Sequence, residues 1–121
     1  MSKEVPQDGK TPRRIQLNDA ESFSTEGFDG HVYTEVPGAN FNALRVDVHG
    51  SHPRKKMLGD TTRNYLVIEG IGKFTLGGET FDVQPGDLFS IPPEGEYHYE
   101  GQMTLFEFNV SPSGNIQDQK L

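Results

Sequence analysis

The residues of this chain best suited to chemistry are its histidines, an arginine two places from a tyrosine, and one short basic run. His49 and His52 stand in Val48-His49-Gly50-Ser51-His52-Pro53, and His98 follows in Glu96-Tyr97-His98. Three imidazoles could form an open metal site of the kind that zinc and non-haem iron use. Two histidines at a surface turn are usually just solvated. His31 carries no such signal. Arg63 and Tyr65 are two apart, so on a strand they share one face. An arginine there could hold a carboxylate or phosphate through paired N–H groups. It could equally pair with a carboxylate of its own chain, for which Glu100 or Glu107 is available. Arg54, Lys55 and Lys56 form a basic cluster that reads either as a solvated edge or as a rim attracting an anionic ligand.

The composition narrows what these groups could act on. The 121 residues include no cysteine, which excludes disulfides, thiolate metal sites and cysteine nucleophiles. Eighteen acidic against eleven basic residues give a net charge of −7. A field of that sign repels nucleic-acid backbones and anionic membrane surfaces. No run approaches the roughly 20 apolar residues of a membrane span, and no leader-like apolar run opens the sequence. The expected location is therefore the cytoplasm.

Only 32% of the residues are hydrophobic, with eight Phe and four Tyr among them. The core must therefore be aromatic and confined to part of the chain. Residues 1–26 and 111–121 read as polar tails around a body at 27–110. Met1–Pro12 reads as disordered, and Arg14–Leu17 as an edge strand or docking arm.

The elements that must position the chemistry are short strands. His31–Val36 alternates and is closed by Pro37-Gly38, and Phe41–Val48 alternates at Val46 and Val48. Asn64–Ile68 is a compact β-prone run ended by Glu69-Gly70. Lys73–Leu76 and Thr80–Val83 flank Gly77-Gly78, a two-residue hairpin signal. Leu88–Ile91, Glu96–Glu100 and Thr104–Val110 follow, separated by Pro85-Gly86-Asp87, Pro92-Pro93-Glu94-Gly95 and Gly101. Seven or eight strands of this spacing, with no room for a long helix, fit a sandwich or a small barrel.

Gly86-Asp87-Leu88-Phe89-Ser90-Ile91-Pro92-Pro93-Glu94-Gly95-Glu96-Tyr97-His98 resembles the second conserved motif of the cupin family. Pro93, Gly95 and His98 match it, Gln102 stands where an Asn is usual, and one residue is inserted between Gly86 and Pro93. Tyr65-Leu66-Val67-Ile68-Glu69-Gly70-Ile71-Gly72 is similar to the end of the first motif. The resemblance implies an all-β fold, a cupin-type jelly-roll β-barrel. The metal-binding members carry two histidines and a glutamate in the first motif. Counting back from Gly70 puts Arg63 at the glutamate position and Met57 and Gly59 at the histidine positions. The usual metal site is therefore absent from the motif.

The resemblance also places Arg63 and Tyr65 in the barrel interior. The expected ligand-binding set is Arg63, Tyr65 and His98, walled by Phe89 or Phe106. Gly59-Asp60-Thr61-Thr62 would be a loop gating the mouth. The expected function is binding of a small molecule, anionic if Arg63 is free to receive it, with no metal or other cofactor. Two rivals stay open. One is a metal-dependent dioxygenase or isomerase using His49, His52 and His98. The other is a structural or regulatory barrel filled by its own aromatic side chains. Metal-free cupins include epimerases and ketoisomerases with a histidine base, but no His-Asp pair of that kind is visible here. Neither nucleic acid nor membrane is an expected partner. The resemblance implies a homodimer, paired through sheet edges or exchanged N-terminal arms.

Overall fold

Runs of β-branched and aromatic residues cut by Gly and Pro become most of the strands. The computed structural model describes residues 12–34 and 40–121. It contains nine strands: β1 (Glu21–Thr25), β2 (Phe28–Thr34), β3 (Phe41–Val48), β4 (Lys55–Leu58), β5 (Thr62–Leu76), β6 (Glu79–Asp82), β7 (Leu88–Ile91), β8 (Glu96–Val110) and β9 (Gln117–Lys120). A 3-10 turn at Leu17–Asp19 precedes them. Among the described residues no helix is long and apolar enough to cross a membrane. The Met1–Thr11 part of the expected disordered stretch, and Pro37-Gly38, lie outside the described residues.

The organising strand is β8. It runs antiparallel to β5 from Thr62↔Val110 to Leu76↔Tyr97. Its other edge holds β3 along Met103–Val110 and β4 at Glu96 and Tyr97. One strand thus binds three neighbours, and the sheet curls around it as the expected all-β barrel. Strands β6 and β7 both pair with β5, while β1 extends the sheet beyond β2.

Two expected breaks are absent. Asn64–Ile68 and Lys73–Leu76 are parts of one strand, β5, because the ladder with β8 shifts register between Val67 and Glu69 instead of ending. Gly70 takes φ +105° just past that shift, and a Cβ there would strike the backbone of Gln102. Glu96–Glu100 and Thr104–Val110 are likewise one strand, continuous through Gly101 at φ +146°. At these two positions the positive φ is backbone that glycine adopts without the strain other residues would carry.

The polar termini also differ from their reading as tails. In the C-terminal segment, β9 pairs with β4 from Lys55↔Lys120 to Leu58↔Gln117. The basic run 54–56 is consequently not an exposed edge, since β4 is hydrogen-bonded on both sides. In the N-terminal stretch the strand is β1 rather than Ile15–Leu17, and Arg13 Nη2 donates to Thr34 Oγ1 at 2.9 Å.

The segment 59–62 is tied down rather than free to gate the barrel. Asp60 accepts hydrogen bonds from Ser111 Oγ at 2.5 Å and from the Ser113 amide at 2.8 Å. Thr61, fully buried, accepts from the Gln117 amide at 3.0 Å and donates to the Asn115 carbonyl at 3.3 Å. Removing one partner of a buried hydrogen bond leaves the other desolvated. Thr61→Val should therefore cost about 1–3 kcal/mol in urea unfolding while leaving the β-sheet circular dichroism unchanged.

Candidate functional site

Along β8 the buried side chains are Tyr97, Tyr99, Met103, Leu105, Glu107 and Asn109. Every second residue faces the interior, and the phase is kept across Gly101. On β5 the matching inward positions are Arg63, Tyr65 and Val67. Two kinds of interior result. Tyr65, Tyr97, Tyr99, Phe74 and Phe89 fill one part with stacked rings, Phe74 on Phe89 at 4.3 Å. Next to them a polar group gathers around Arg63.

Arg63 is 7% exposed. Its Nε donates to Asn109 Oδ1 at 2.6 Å, and its Nη1 to the Tyr97 hydroxyl and to Asp118 Oδ2, both at 2.8 Å. Glu107 Oε2 stands 3.6 Å from Nε. Tyr97 passes the network to Tyr65, hydroxyl to hydroxyl, at 2.9 Å. Asn109 Nδ2 donates to Glu107 Oε2 at 2.9 Å and to Asn42 Oδ1 at 2.7 Å. Burial, the largest single influence, pulls the Arg63 pKa down, but Tyr65, Glu107 and Tyr97 outweigh it and hold it above the ordinary value. For Asp118, burial is again largest and raises the pKa, yet Arg63 and Lys55 bring it below the usual carboxylate range. The Tyr97 hydroxyl is pushed by burial to about 12 and stays protonated.

His52 is the imidazole of this site. It is 5% exposed and stacks on Tyr99 at 4.5 Å and on Tyr97 at 5.3 Å. Its Nδ1 lies 2.7 Å from the Pro53 carbonyl oxygen. A carbonyl only accepts, so Nδ1 carries the proton and Nε2 presents a lone pair. Burial first, then the charges of Lys55 and Arg63, lower its pKa to about 3.

An inner cavity of about 430 Å³ opens over this group, walled by Arg63, Glu107, Asn109, Asn42 and His52 and by the apolar Phe23, Phe28, Val32 and Leu44. That is within the range of small-molecule sites. Among the described residues, Arg63 Nη2, Asn42 Nδ2, Glu107 Oε1 and His52 Nε2 have no hydrogen-bond partner. The group around Arg63 thus leaves two donors and two acceptors unused, and Glu21, Ser22, Thr25 and Lys55 add further polar side chains to the wall. Formal charge on the wall balances, Arg63 and Lys55 against Glu21 and Glu107. Asp118 stands behind the wall, 3.2 Å from Lys55 Nζ and 2.8 Å from Arg63 Nη1.

Of the expected ligand-binding set, only Arg63 lines the cavity. Tyr65 is fully buried in the ring layer and reaches Arg63 through the Tyr97 hydroxyl, and His98 is not part of the group. His98 lies between the inward-facing Tyr97 and Tyr99, so strand alternation turns it to the outer face. Phe106 also alternates outward and packs against Phe108 at 5.8 Å. Phe89 is in the ring stack and not on the cavity wall. The three histidines of the metal alternative are not brought together. His49 is half exposed and lies 3.6 Å from Asp29. Among the described residues no group of three or more His, Asp or Glu could hold a metal ion. Arg63 and Met57 are both buried. The Arg63 guanidinium has no lone pair for a metal, and Met57 offers a soft thioether where a histidine is usual. Asn42, Asn109 and Asp118 are not singled out by any motif in the sequence, whereas Lys55 is foreshadowed by the basic run 54–56 as a rim for an anionic ligand and Glu107 as a partner for Arg63.

Residues 65–119 match the AraC-like ligand binding domain family. Over 101 residues the chain is 32% identical to the Msm operon regulatory protein of Streptococcus mutans, covering 74% of this chain and 36% of that protein. It thus spans about a third of that relative's length. Streptomyces Pac13, in structures with uridine, superposes with TM-score 0.78 and 26% identity over 92% of this chain and 91% of that one. This chain is a cupin. KdgF from Halomonas sp. shares the fold, with TM-score 0.71 at 14% identity over 83% of the cupin and 94% of KdgF. Pac13 is described as a nucleoside dehydratase.

The buried imidazole of the cupin makes its stability sensitive to acid. Its folded pKa lies below the free value near 6.5, so below that pH the unfolded chain takes up the proton first. Stability is then lost progressively down to about pH 3. Between pH 7 and pH 4 the wild type should lose about 3 kcal/mol more than His52→Gln, measured by urea unfolding at each pH.

Proposed function

We propose that this cupin is a ligand-binding domain whose inner cavity takes a neutral, hydroxyl-rich small molecule of nucleoside or sugar type. The observation that carries the reading is the balanced charge of the wall, Arg63 and Lys55 against Glu21 and Glu107, together with the two donors and two acceptors left unused around Arg63. Arg63 is already neutralised by Asp118 and Glu107, so a lone anion would gain little there and would face both carboxylates. A molecule that both donates and accepts satisfies all four groups, and Phe23 and Phe28 supply an apolar face for a ring. The likeness to Pac13, whose structures hold uridine, supports the nucleoside side of this reading. The AraC-like match and the regulatory relative support a sensing role. The reading includes a cytoplasmic homodimer, as the resemblance to cupins implies, with the exposed edge strand β1 available for pairing.

A second reading is catalysis of the dehydratase kind, favoured by the Pac13 structures with uridine in which a tyrosine or a histidine is substituted. Here the site has His52 and three buried tyrosines. Against it, an efficient general base has a pKa near the working pH. His52, held near 3, is a weak one.

Isothermal titration with uridine and a panel of neutral sugars tests the first reading. At least one should bind, and Glu107→Gln should weaken it about tenfold or more by removing a charged acceptor. No binding at millimolar ligand, or an unaltered affinity in Glu107→Gln, would exclude it. Mass spectrometry of the recovered ligand separates the two readings, since an unchanged mass supports binding alone and loss of water supports catalysis.

A further inference from the structure

Beside the inner cavity lies an outer cleft of about 860 Å³. The two share Thr25, Phe28, His52 and Lys55, so one ligand could occupy both. Their electrostatics differ. One wall of the cleft is the β4–β9 ladder, in which Lys55 and Lys120 are direct cross-strand partners. Like charges placed opposite each other on an antiparallel pair destabilise it. Lys55 is partly compensated by Asp118 at 3.2 Å, whereas Lys120 has no ion-pair partner among the described residues. The neighbouring bases differ in this respect, Arg54 being paired with Glu96 at 3.0 Å and Lys56 with Glu94 at 3.1 Å. Among the described residues the one carboxylate on the cleft is Glu26, on the turn between β1 and β2. That turn is fixed to the end of β3 by the His49 amide donating to the Gly27 carbonyl at 2.8 Å.

We propose that the outer cleft is an anion subsite, in which Lys55 and Lys120 receive a phosphate monoester carried by the ligand whose neutral part fills the inner cavity. This rests on the inner-cavity reading for the ligand as a whole, but the lysine pair makes its own claim. A dianion between the two ammonium groups converts their repulsion into two charge-assisted contacts. In a protein of net charge −7 it also gives anionic ligands a local entry point.

The test is an amide-detected NMR titration of the full chain at low salt with uridine, uridine 5′-monophosphate and inorganic phosphate. The monophosphate should shift Lys120, Lys55 and Ser51 together with Glu107 and Asn109, and should bind about tenfold more tightly than uridine. Uridine should shift only the inner group, and phosphate only the outer one. In Lys120→Ala the tenfold gain should disappear with uridine affinity unchanged, and added salt should erode the gain in the wild type. Lys120 is exposed on β9, so this variant should retain the fold. If neither monophosphate nor phosphate moves Lys120 or Ser51, the anion subsite is refuted whatever happens inside. If phosphate moves them while uridine leaves Glu107 and Asn109 unmoved, the subsite stands and the inner-cavity reading falls.

Discussion

A guanidinium inside a barrel is the constraint around which much of this molecule is arranged. Arg63 cannot shed its charge, and an isolated buried cation would be far too costly to retain. Its compensation comes from distant parts of the sequence. Glu107 and Asn109 come from β8, the hydroxyl of Tyr97 from the other end of that strand, and Asp118 from the C-terminal segment. The network therefore ties β9 by charge to β5 and β8, two strands with which it shares no backbone ladder, its own ladder being with β4. Strand β9 is polar along its length and buries little apolar surface. Its attachment rests on the β4 ladder, on Thr61 and on the two contacts of Asp118.

The same cation explains why the barrel is neither fully plugged nor empty. Aromatic rings pack one part of the interior, and the hydroxyls of Tyr65 and Tyr97 end that layer by turning toward the guanidinium. Beyond it, polar side chains hold one another and still keep unused valences toward the cavity. His52 sits at the junction, with Tyr97 and Tyr99 stacked on it and both cavities lined by it. Neighbouring cations and burial both favour its neutral form, so it serves as a fixed acceptor rather than as a proton shuttle at neutral pH.

The barrel was legible in the sequence because its evidence is local. Phe41–Val48 and Leu88–Ile91 coincide with strands, and the Gly77-Gly78 turn joins β5 to β6. The inward setting of Arg63 followed from the family register. The placement of His98 did not, because the motif suggested a site histidine while strand alternation assigns the interior to Tyr97 and Tyr99. Carried on from those two tyrosines, the same alternation reaches Glu107 and Asn109, two polar residues at core positions, and this signal was available. Asp118 was out of reach, and so was the pairing that sets Lys55 beside it, although the basic run 54–56 already suggested a charged rim. Their role depends on β9 pairing with β4 across some sixty residues, and a segment as polar as Gln117–Lys120 carries no hydrophobic pattern to announce a strand. His52 was hidden for a related reason, since nothing in a His-Gly-Ser-His turn tells which imidazole folds under the neighbouring rings.

The register shift between Val67 and Glu69 has a consequence for how the chain can vary in length. Before it, odd-numbered residues of β5 face the interior, as Arg63, Tyr65 and Val67 do; after it the parity inverts and Phe74 is the buried ring. A single residue gained or lost between the shift and Phe74 would turn that ring outward and break its stack with Phe89. Relatives that keep this interior should therefore differ here by pairs of residues. Single-residue differences should instead collect at the Gly77-Gly78 turn, where added side chains meet open space.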